Sequence, residues 1–312
     1  MKPDIPWRWY LSGLFVMLVA PAMIYPILLA KVLCFVVFAC AFNLLLGYTG
    51  LLSFGHAAFF GGGAYVAGWL LRDAGLPVLA AVGGATLFGA LLGWAIGGLA
   101  IRRQGIYFAM ITLAIAQLVY FVFHRASFTG GDDGMQGIPR GMVFGFDLAD
   151  DLRLYFFVLA AAIAAFALIQ RTIHSPFGQI LQAIRENEPR AVSLGYDVDR
   201  YKLLVFVISA ALSGLAGALK TVVFGFATLA DSHWHTSGEV ILMTLLGGVG
   251  TVLGPVIGAA TVVVLHNELA DKVGAMIDVF MGAIFIFCVL TFRRGIVGEG
   301  VALYKRMIGE KG

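Results

Sequence analysis

Long apolar runs alternate with short polar breaks along this chain, and the alternation predicts a membrane protein. The predicted spans are residues 9–29, 32–48, 51–71, 78–101, 105–123, 154–172, 202–221, 237–250, 253–267 and 275–292. Glycines interrupt 51–71 and 237–267, so either could be re-entrant or a broken helix that lines a cavity. Since a span needs about 20 apolar residues, the pattern predicts an all-α, polytopic transmembrane bundle of about ten spans, with eight or nine as the alternative.

Composition supports the same conclusion. Of the 312 residues, 60% are hydrophobic and only 12% are charged, whereas a soluble domain carries about 25% charged residues. The spans leave room for loops but not for a separate soluble domain, so we expect one transmembrane domain over residues 1–312. The 40 glycines suit a membrane bundle, in which helices approach each other through small residues.

The distribution of Lys and Arg predicts the orientation, because cytoplasmic loops of membrane proteins carry an excess of both. With the N-terminus inside, 14 of the 21 Lys and Arg lie on the cytoplasmic side and 7 lie outside. The cytoplasmic positions are 1–8, 102–104, 172–201 and 293–312, with Arg171 and Lys202 at the loop edges. Both termini are therefore predicted to be cytoplasmic. Trp7, Arg8 and Trp9 read as an interfacial anchor before a retained first span.

Two loops are long enough to have structure of their own. The outer loop, 124–153, has a core of turn-forming residues: Thr129, Gly130, Gly131, Asp132, Asp133 and Gly134. In the inner loop, about 173–201, Ser175 can cap a helix and Pro176 suits its first position. Apolar residues then recur at Phe177, Ile180, Leu181, Ile184, Ala191 and Leu194. This predicts a short amphipathic helix on the cytoplasmic side, ended by Pro189.

Motifs for catalysis, metal binding or nucleic-acid binding are absent from the sequence. It has no HExxH, GxSxG or CxxC motif. His233 and His235 flank Trp234 without a third ligand in view, and the net charge of +3 is too small to indicate nucleic acid. We therefore expect no enzyme activity, no cofactor, no metal and no nucleic-acid partner.

Few ionisable residues lie deep in the predicted spans, where each costs about 2.5–3.5 kcal/mol. Lys31, Lys220, Glu239 and Asp278 all lie near span ends and are expected to reach water. The sequence thus offers no chain of buried acids for proton coupling, which argues against a proton-driven carrier. The inner-loop helix is either a docking element for a soluble ATPase or an ordinary interfacial helix.

One short repeat is present. Leu45-Leu46-Gly47-Tyr48-Thr49-Gly50 resembles Leu245-Leu246-Gly247-Gly248-Val249-Gly250. Transporters often contain inverted repeats. The predicted topology puts both copies on the inner side, which an inverted repeat does not give, so the match carries little weight.

Five motifs follow one another along the chain: Gly47-Tyr48-Thr49-Gly50-Leu51-Leu52-Ser53-Phe54-Gly55-His56-Ala57-Ala58-Phe59, Gly105-Ile106-Tyr107-Phe108-Ala109-Met110, the outer Thr129–Gly134, the inner Ser175-Pro176-Phe177-Gly178 with Ala183-Ile184-Arg185-Glu186-Asn187-Glu188, and Gly247-Gly248 through Gly254-Pro255-Val256-Ile257-Gly258-Ala259. In this set the sequence is similar to the LivM-type permeases of branched-chain amino acid ABC importers. The resemblance covers nearly the whole chain. The outer Thr-Gly-Gly loop resembles the M-type rather than its shorter H-type sister.

The resemblance implies a bacterial inner-membrane assembly of five proteins. They are this permease, which also contacts membrane lipid, an H-type permease, two ABC ATPase subunits and a periplasmic substrate-binding protein. It also implies that residues 175–195 dock on an ATPase, through Ser175, Pro176, Phe177, Gly178, Ala183, Arg185, Glu186, Glu188, Ala191 and Gly195. Many ABC importers have a Glu-Ala-Ala…Gly pattern here, from which Glu188-Pro-Arg-Ala191 departs.

The substrate implied by the resemblance is leucine, isoleucine or valine, with urea, amides and small aromatic acids as alternatives. Polar groups at membrane depth usually face a cavity or a partner helix. The candidates for lining a translocation path are therefore Asn43, Thr49, Ser53, His56, Thr112 and Gln117, with helix packing as the alternative for each. A stand-alone channel or secondary carrier is the rival reading of the whole chain.

Overall fold

The computed structural model describes residues 13, 16–143, 145–291 and 295–299. Its α-helices are α1 Pro26–Thr49, α2 His56–Arg72, α3 Val78–Ala100, α4 Ile106–Arg125, α5 Asp151–Ile173, α6 Pro176–Glu186, α7 Glu188–Ser193, α8 Val198–Phe224, α9 Trp234–Gly247, α10 Gly254–Val273 and α11 Ile277–Thr291. A two-stranded antiparallel hairpin, β1 Met142–Val143 and β2 Phe146–Asp147, lies between α4 and α5. The predicted all-α fold is confirmed.

Helix length separates two groups of membrane segments. Among the described residues, five helices are long and apolar enough to cross a membrane, namely α1, α3, α4, α5 and α8. The others are shorter, except α10, whose 20 residues include a shorter apolar stretch, Gly254–Ala270. With 17 residues, α2 is only about 25 Å long at 1.5 Å per residue, against about 30 Å of hydrocarbon. Such helices need neighbouring non-helical segments to complete a crossing.

The predicted boundary between the first two spans is wrong. The chain turns at 23–25 after a 3₁₀ turn over Ala20–Ala22, and α1 begins at Pro26 rather than at residue 32. Proline suits the first position of a helix, because the backbone N–H that it lacks has no partner there. Residues 9–12, 14 and 15 of the predicted first span lie outside the described residues, as do the aromatic anchor and most of the tail, 293–312.

Helix α8 is the centre of the bundle and packs against α1, α2 and α3. Glycines make this close packing possible, since a Cβ on Gly217 would strike the Phe60 carbonyl and a Cβ on Gly63 would strike the backbone of Gly214.

Two short helices, α2 and α9, begin next to each other inside the bundle. After Gly50, whose φ is 77°, residues 50–55 are not helical, and α2 starts at His56. The Ala57 amide donates a hydrogen bond of 2.9 Å to the Ser237 hydroxyl in the first turn of α9. Segment 51–71 therefore starts with non-helical residues and continues as one uninterrupted helix through Gly61, Gly62 and Gly63.

Contacts between loops divide the bundle into two ends. At the amphipathic-helix end, which carries α6 and α7, Gln104 donates to Glu188 at 2.8 Å. At the long-loop end, which carries residues 126–150, the Met135 amide donates to the Ala227 carbonyl at 2.8 Å. The inner segments predicted by charge, 102–104 and 172–201, thus share one end.

Candidate coupling site and polar core

Two short helices, α6 and α7, occupy the segment predicted to be amphipathic. The Ser175 hydroxyl accepts a hydrogen bond from the Gly178 amide at 3.3 Å and caps α6. Pro176 takes the first turn of the helix, as predicted. Gly178 lies against the backbone carbonyl of Ile173, where a side chain has no room. These contacts fold the start of α6 tightly onto the end of α5.

The break between α6 and α7 differs from the prediction. Asn187 leaves the helix with an extended backbone, and its side chain accepts a hydrogen bond of 3.0 Å from the Arg190 amide. Pro189 lies in the first turn of α7, where proline is tolerated, rather than at the end of α6. The element is therefore two separately capped helices.

The apolar face of the element joins it to the bundle. Ile184, Ala191 and Val198 are buried together in a small cluster. The rings of Phe177 and Tyr201 stack with their centroids 5.6 Å apart. Because Val198 and Tyr201 lie on α8, these contacts hold the element against the first turns of that helix.

Glu188 is bound within the chain rather than exposed for a partner. Its carboxylate lies 2.6 Å from the Nζ of Lys202, a side chain that is 2% exposed, and it also accepts a hydrogen bond from Gln104. A buried ammonium needs a charged partner nearby. Glu188 therefore ties together three segments of the amphipathic-helix end.

Arg185 also reaches into the bundle. Its guanidinium donates a hydrogen bond to the backbone carbonyl of Gly47, in the last turn of α1. Gly50 and Gly250 have φ values of 77° and 76°. An added Cβ would come within 3.3 Å of the Arg185 side chain at Gly50 and within 3.1 Å at Gly250. Arg185 thus lies between the segments that follow α1 and α9.

The outward face of the element carries polar and apolar side chains together. Of the predicted coupling residues, Pro176, Ala183, Arg185, Glu186 and Gly195 are exposed. So are three apolar side chains that follow Arg190: Val192 at 56%, Leu194 at 68% and Tyr196 at 39%. Periodicity grouped Leu194 with the buried face, but α7 ends at Ser193, so Leu194 no longer follows the helical repeat. Sequence reasoning missed Val192 and Tyr196.

His56 is fully buried at the start of α2. Its Nε2 lies 2.9 Å from the Ser209 hydroxyl on α8, which itself donates to the Ala41 carbonyl at 2.6 Å. The edges of aromatic rings surround the imidazole, with the Phe42 and Phe59 centroids 5.0 and 5.5 Å away. The imidazole therefore links α1, α2 and α8.

Asn43 joins the two copies of the short repeat. Its side-chain amide donates to the Thr251 carbonyl and accepts from the Gly250 amide, both at 2.9 Å. The two Leu-Leu-Gly sequences therefore end side by side at the amphipathic-helix end, the same end that the predicted topology gives both of them.

Thr112 and Ser53 accept hydrogen bonds from backbone amides beside the start of α2. The Thr112 hydroxyl accepts a hydrogen bond from the Phe54 amide at 3.2 Å, and the Ser53 hydroxyl accepts one from the Gly55 amide at 3.2 Å. Thr49 is buried, and its hydroxyl has no hydrogen-bond partner among the described residues.

The six candidates do not form one polar surface in this conformation. Ser53, His56 and Thr112 cluster around the start of α2, while Asn43 lies near the end of α1. Gln117, on α4, is half-buried, whereas Asn43, Thr49, Ser53, His56 and Thr112 are buried. Their role in a path stays a prediction.

The outer Thr-Gly-Gly loop is a compact turn. The buried Thr129 hydroxyl donates to the Ala126 carbonyl at 2.7 Å. Gly130, Gly131 and Gly134 all have positive φ, which explains the glycines of this motif. The Asp132 carboxylate lies 3.2 Å from His124, and the Asp133 carbonyl accepts from Gln136. The motif thus shapes the long-loop end.

A buried ion pair corrects the expectation that Lys220 reaches water. The Nζ of Lys220 lies 2.7 Å from a carboxylate oxygen of Asp231, and both side chains are nearly buried. The amide and hydroxyl of Thr228 donate to the same oxygen at 3.1 Å each. A Thr-x-x-Asp capping sequence was the available signal for this turn.

A family comparison identifies the chain. The family described as "Branched-chain amino acid transport system / permease component" matches residues 24–289. The chain belongs to this family. The match begins just before α1 and ends within α11, so it covers α1 to α10 in full.

Several relatives resemble this permease over most of its length. The high-affinity branched-chain amino acid transport system permease protein LivM of Escherichia coli and that of Salmonella typhimurium are each 27% identical over 287 residues, covering 84% of this chain and 67% of LivM. LivH of Escherichia coli is 24% identical, covering 84% of this chain and 90% of LivH. The ribose import permease protein RbsC of Haemophilus influenzae is 26% identical over 62% of this chain and 61% of RbsC. No solved structure matches the permease.

These matches confirm the resemblance to LivM-type permeases that the five motifs carry. With five membrane-capable helices among its described residues, the permease is a multi-pass membrane protein. Its relatives are transport subunits and not enzymes.

The histidines around Trp234 pack against rings of the permease itself. His233 and His235 stack with centroids 5.5 Å apart, and His233 meets Tyr120 edge-on at 5.2 Å. Burial, and secondly the neighbouring His235, lowers the pKa of His233, which favours its neutral form. No group of three or more His, Cys, Asp or Glu in the described part of the permease could hold a metal ion.

Proposed function

We propose that the chain is the membrane-spanning permease subunit of an ATP-driven importer in the bacterial inner membrane. It forms half of a translocation path for leucine, isoleucine, valine or related small amino acids, which a periplasmic binding protein delivers. The family match over residues 24–289 is the observation that carries this proposal. Hydrolysis of ATP occurs on two separate ABC ATPase subunits, and an H-type permease forms the other half of the path.

The topology that goes with this function has about ten spans in a single permease domain, 1–312, with both termini in the cytoplasm. The amphipathic-helix end is cytoplasmic and the long-loop end is periplasmic. The bias of 14 to 7 in Lys and Arg supports this orientation. The contact of Gln104 with Glu188 supports it too, because it joins two segments that the charge bias assigns to the same side.

The ATPase docks on the outward face of α6 and α7. Glu186, Val192 and Leu194 are exposed there, so a groove on the ATPase can cover their apolar surface. Glu188 and the exposed Arg185 also contact the permease itself, and they transmit movement of the docked helices to α1 and α8. Two of the predicted coupling residues thus act inside the chain.

The path candidates divide by exposure. Gln117 is half-buried and lines the path directly. Asn43, Thr49, Ser53, His56 and Thr112 become accessible when the bundle opens during the transport cycle.

The test is a pull-down of the tagged protein from its native membrane in mild detergent, with partners identified by mass, followed by uptake in liposomes. We expect two ATPase subunits and a second permease, and uptake that requires ATP and the binding protein. Uptake of urea, amides or small aromatic acids instead would change the substrate only. Recovery of the chain alone, with uptake in the absence of ATP, would show that it is a channel or secondary carrier.

A further inference from the structure

A cavity of about 310 Å³ lies between α1, α9, α10 and α11. Ionisable side chains from three of these helices line it: Lys31, His235, Glu239 and His266. Lys31 is in the second turn of α1 and His235 in the first turn of α9, so the cavity is in the half of the bundle toward the long-loop end. None of these residues belongs to the coupling site or to the six path candidates.

Lys31 is the least expected of these residues. It is half-buried in the most apolar of the membrane-capable helices. Its ammonium makes no hydrogen bond or ion pair with any described residue. A charge inside a membrane helix is unfavourable and usually marks a site for a ligand or ion. The cavity leaves room for an anionic group beside it.

The opposite charge lies in the same cavity. Glu239 lines it from α9, and its carboxylate interacts electrostatically with Lys31. The rest of the wall is mainly apolar and includes Phe35, Leu242, Val262 and Val263. Lys31, Glu239 and the apolar wall, with His235 and His266 beside them, are complementary to a small molecule that has an anionic group, a cationic group and an aliphatic side chain.

The size of the cavity favours a small occupant. Binding pockets have volumes of about 300–1,000 Å³, and this one is at the lower limit. A free aliphatic amino acid has all three chemical groups within a few bonds. A phospholipid also has charged groups and apolar chains, but the greater part of its acyl chains would remain outside so small a space.

We propose that this cavity binds an aliphatic amino acid in its zwitterionic form. Lys31 binds the carboxylate, Glu239 binds the ammonium group, and the side chain packs on Phe35, Val262 and Val263. This inference rests on the proposed function, because it names a holding site for the substrate on the periplasmic side of the permease.

The charge test uses radiolabelled leucine and the assembly of permeases and ATPases purified from native membrane, before the binding protein is added. Since hydrogen bonds to charged groups contribute about 1.5–3 kcal/mol, Lys31→Met and Glu239→Gln are each expected to weaken leucine binding at least about tenfold. Lys272→Met and Glu268→Gln remove exposed charges on α10 outside the cavity and serve as matched controls, with binding unchanged.

A second variant tests the space itself and leaves every charge in place. Gly238 lines the cavity, and an added Cβ there meets no atom within 4 Å. Gly238→Leu is therefore expected to fill the cavity, to abolish leucine binding and to leave assembly intact. Gly98→Leu, at an equally open position on α3, is the control. This variant decides the question if Lys31→Met fails to assemble.

The outcomes separate the two proposals. A wild-type assembly that takes up leucine with ATP, but whose leucine binding survives Lys31→Met and Gly238→Leu, overturns the cavity proposal alone. Loss of a co-purified phospholipid from both variants in native mass spectrometry, with leucine binding unchanged, also overturns it and identifies a lipid site. A wild-type assembly without ATP-dependent uptake of any amino acid refutes the proposed function.

Discussion

The guanidinium of Arg185, on the short amphipathic helix α6, donates a hydrogen bond to the backbone carbonyl of Gly47, in the last turn of α1. The same side chain borders Gly250, in the segment that follows α9. A bond to a backbone carbonyl does not depend on the identity of the side chain at that position. Arg185 therefore connects the proposed ATPase-docking element directly to the ends of two membrane helices.

This connection predicts that Arg185→Ala uncouples ATP hydrolysis from transport. Hydrogen bonds from charged groups contribute about 1.5–3 kcal/mol, so we expect uptake per ATP hydrolysed to fall about tenfold or more. The ATPase subunits are expected to co-purify in normal amount, because Glu186, Val192 and Leu194 of the docking face are unchanged. ATPase activity and leucine uptake, measured in the same proteoliposomes, give this ratio.

Arg200→Ala is the matched control for Arg185→Ala. Arg200 is an exposed arginine whose ion-pair partner is Asp197, three residues away, at 2.7 Å. Among the described residues it makes no hydrogen bond or ion pair with α1, so coupling is expected to remain normal. Loss of the ATPase subunits from Arg185→Ala would instead mean that Arg185 contacts the ATPase.

Leu194→Asp is predicted to separate the ATPase from the permease. Leu194 is 68% exposed on the outward face, so the aspartate leaves the fold of the permease unchanged. In a docked complex, a buried unpaired carboxylate costs several kcal/mol, which is enough to release the ATPase in a pull-down. The yield of folded permease is the accompanying measurement.

Leu194→Met provides the comparison, because it keeps the apolar surface. We expect it to retain the ATPase at the wild-type ratio. Equal recovery of ATPase with Leu194→Asp and Leu194→Met would move the docking surface away from α7 and the residues after it.

The sequence predicts most of the bundle because lipid imposes one strong requirement on each span. Apolar runs locate α3, α4, α5 and α8 to within a few residues, and the cap at Ser175 locates the start of α6. The error at Pro26 arose where the apolar run continues through a turn. Hydrophobicity alone cannot mark a turn made by two prolines inside an apolar segment.

The roles of polar residues were harder to predict, because they depend on distant partners. Glu188 and Arg185 looked available for the ATPase, but their partners Lys202 and Gly47 are adjacent only in the fold. Lys220 looked as if it reached water until the turn at Asp231 brought a carboxylate to it. Sequence spacing locates a helix face, but it does not show which tertiary neighbour meets that face.

Glu188→Gln is predicted to destabilise the permease. Lys202 is 2% exposed, so the variant leaves a buried ammonium without its counter-charge. Breaking a buried pair costs about 3–5 kcal/mol, whereas removing both charges is often neutral. We expect a lower thermal unfolding midpoint for Glu188→Gln in detergent, and partial recovery in the double variant Glu188→Leu with Lys202→Met.

The exposed pair of Arg200 and Asp197 is the reference for that measurement. Exposed pairs contribute about 0–1 kcal/mol, so Arg200→Gln is expected to leave the unfolding midpoint nearly unchanged. Equal effects of Glu188→Gln and Arg200→Gln would show that the Glu188 pair is hydrated in the membrane-bound protein.

Cysteine labelling tests the path, and it uses the difference in exposure between Gln117 and Thr112. In a variant whose native cysteines are replaced by alanine, a cysteine at the half-buried Gln117 is expected to react readily with a maleimide. A cysteine at the buried Thr112 can react only when the helix bundle opens. Its labelling is therefore expected to be at least about tenfold slower at rest. ATP with loaded binding protein is expected to raise the rate at Thr112 and to change it little at Gln117. A residue that serves only in helix packing stays buried throughout the cycle. An unchanged slow labelling rate at Thr112 during turnover would therefore assign that residue to packing and remove it from the path.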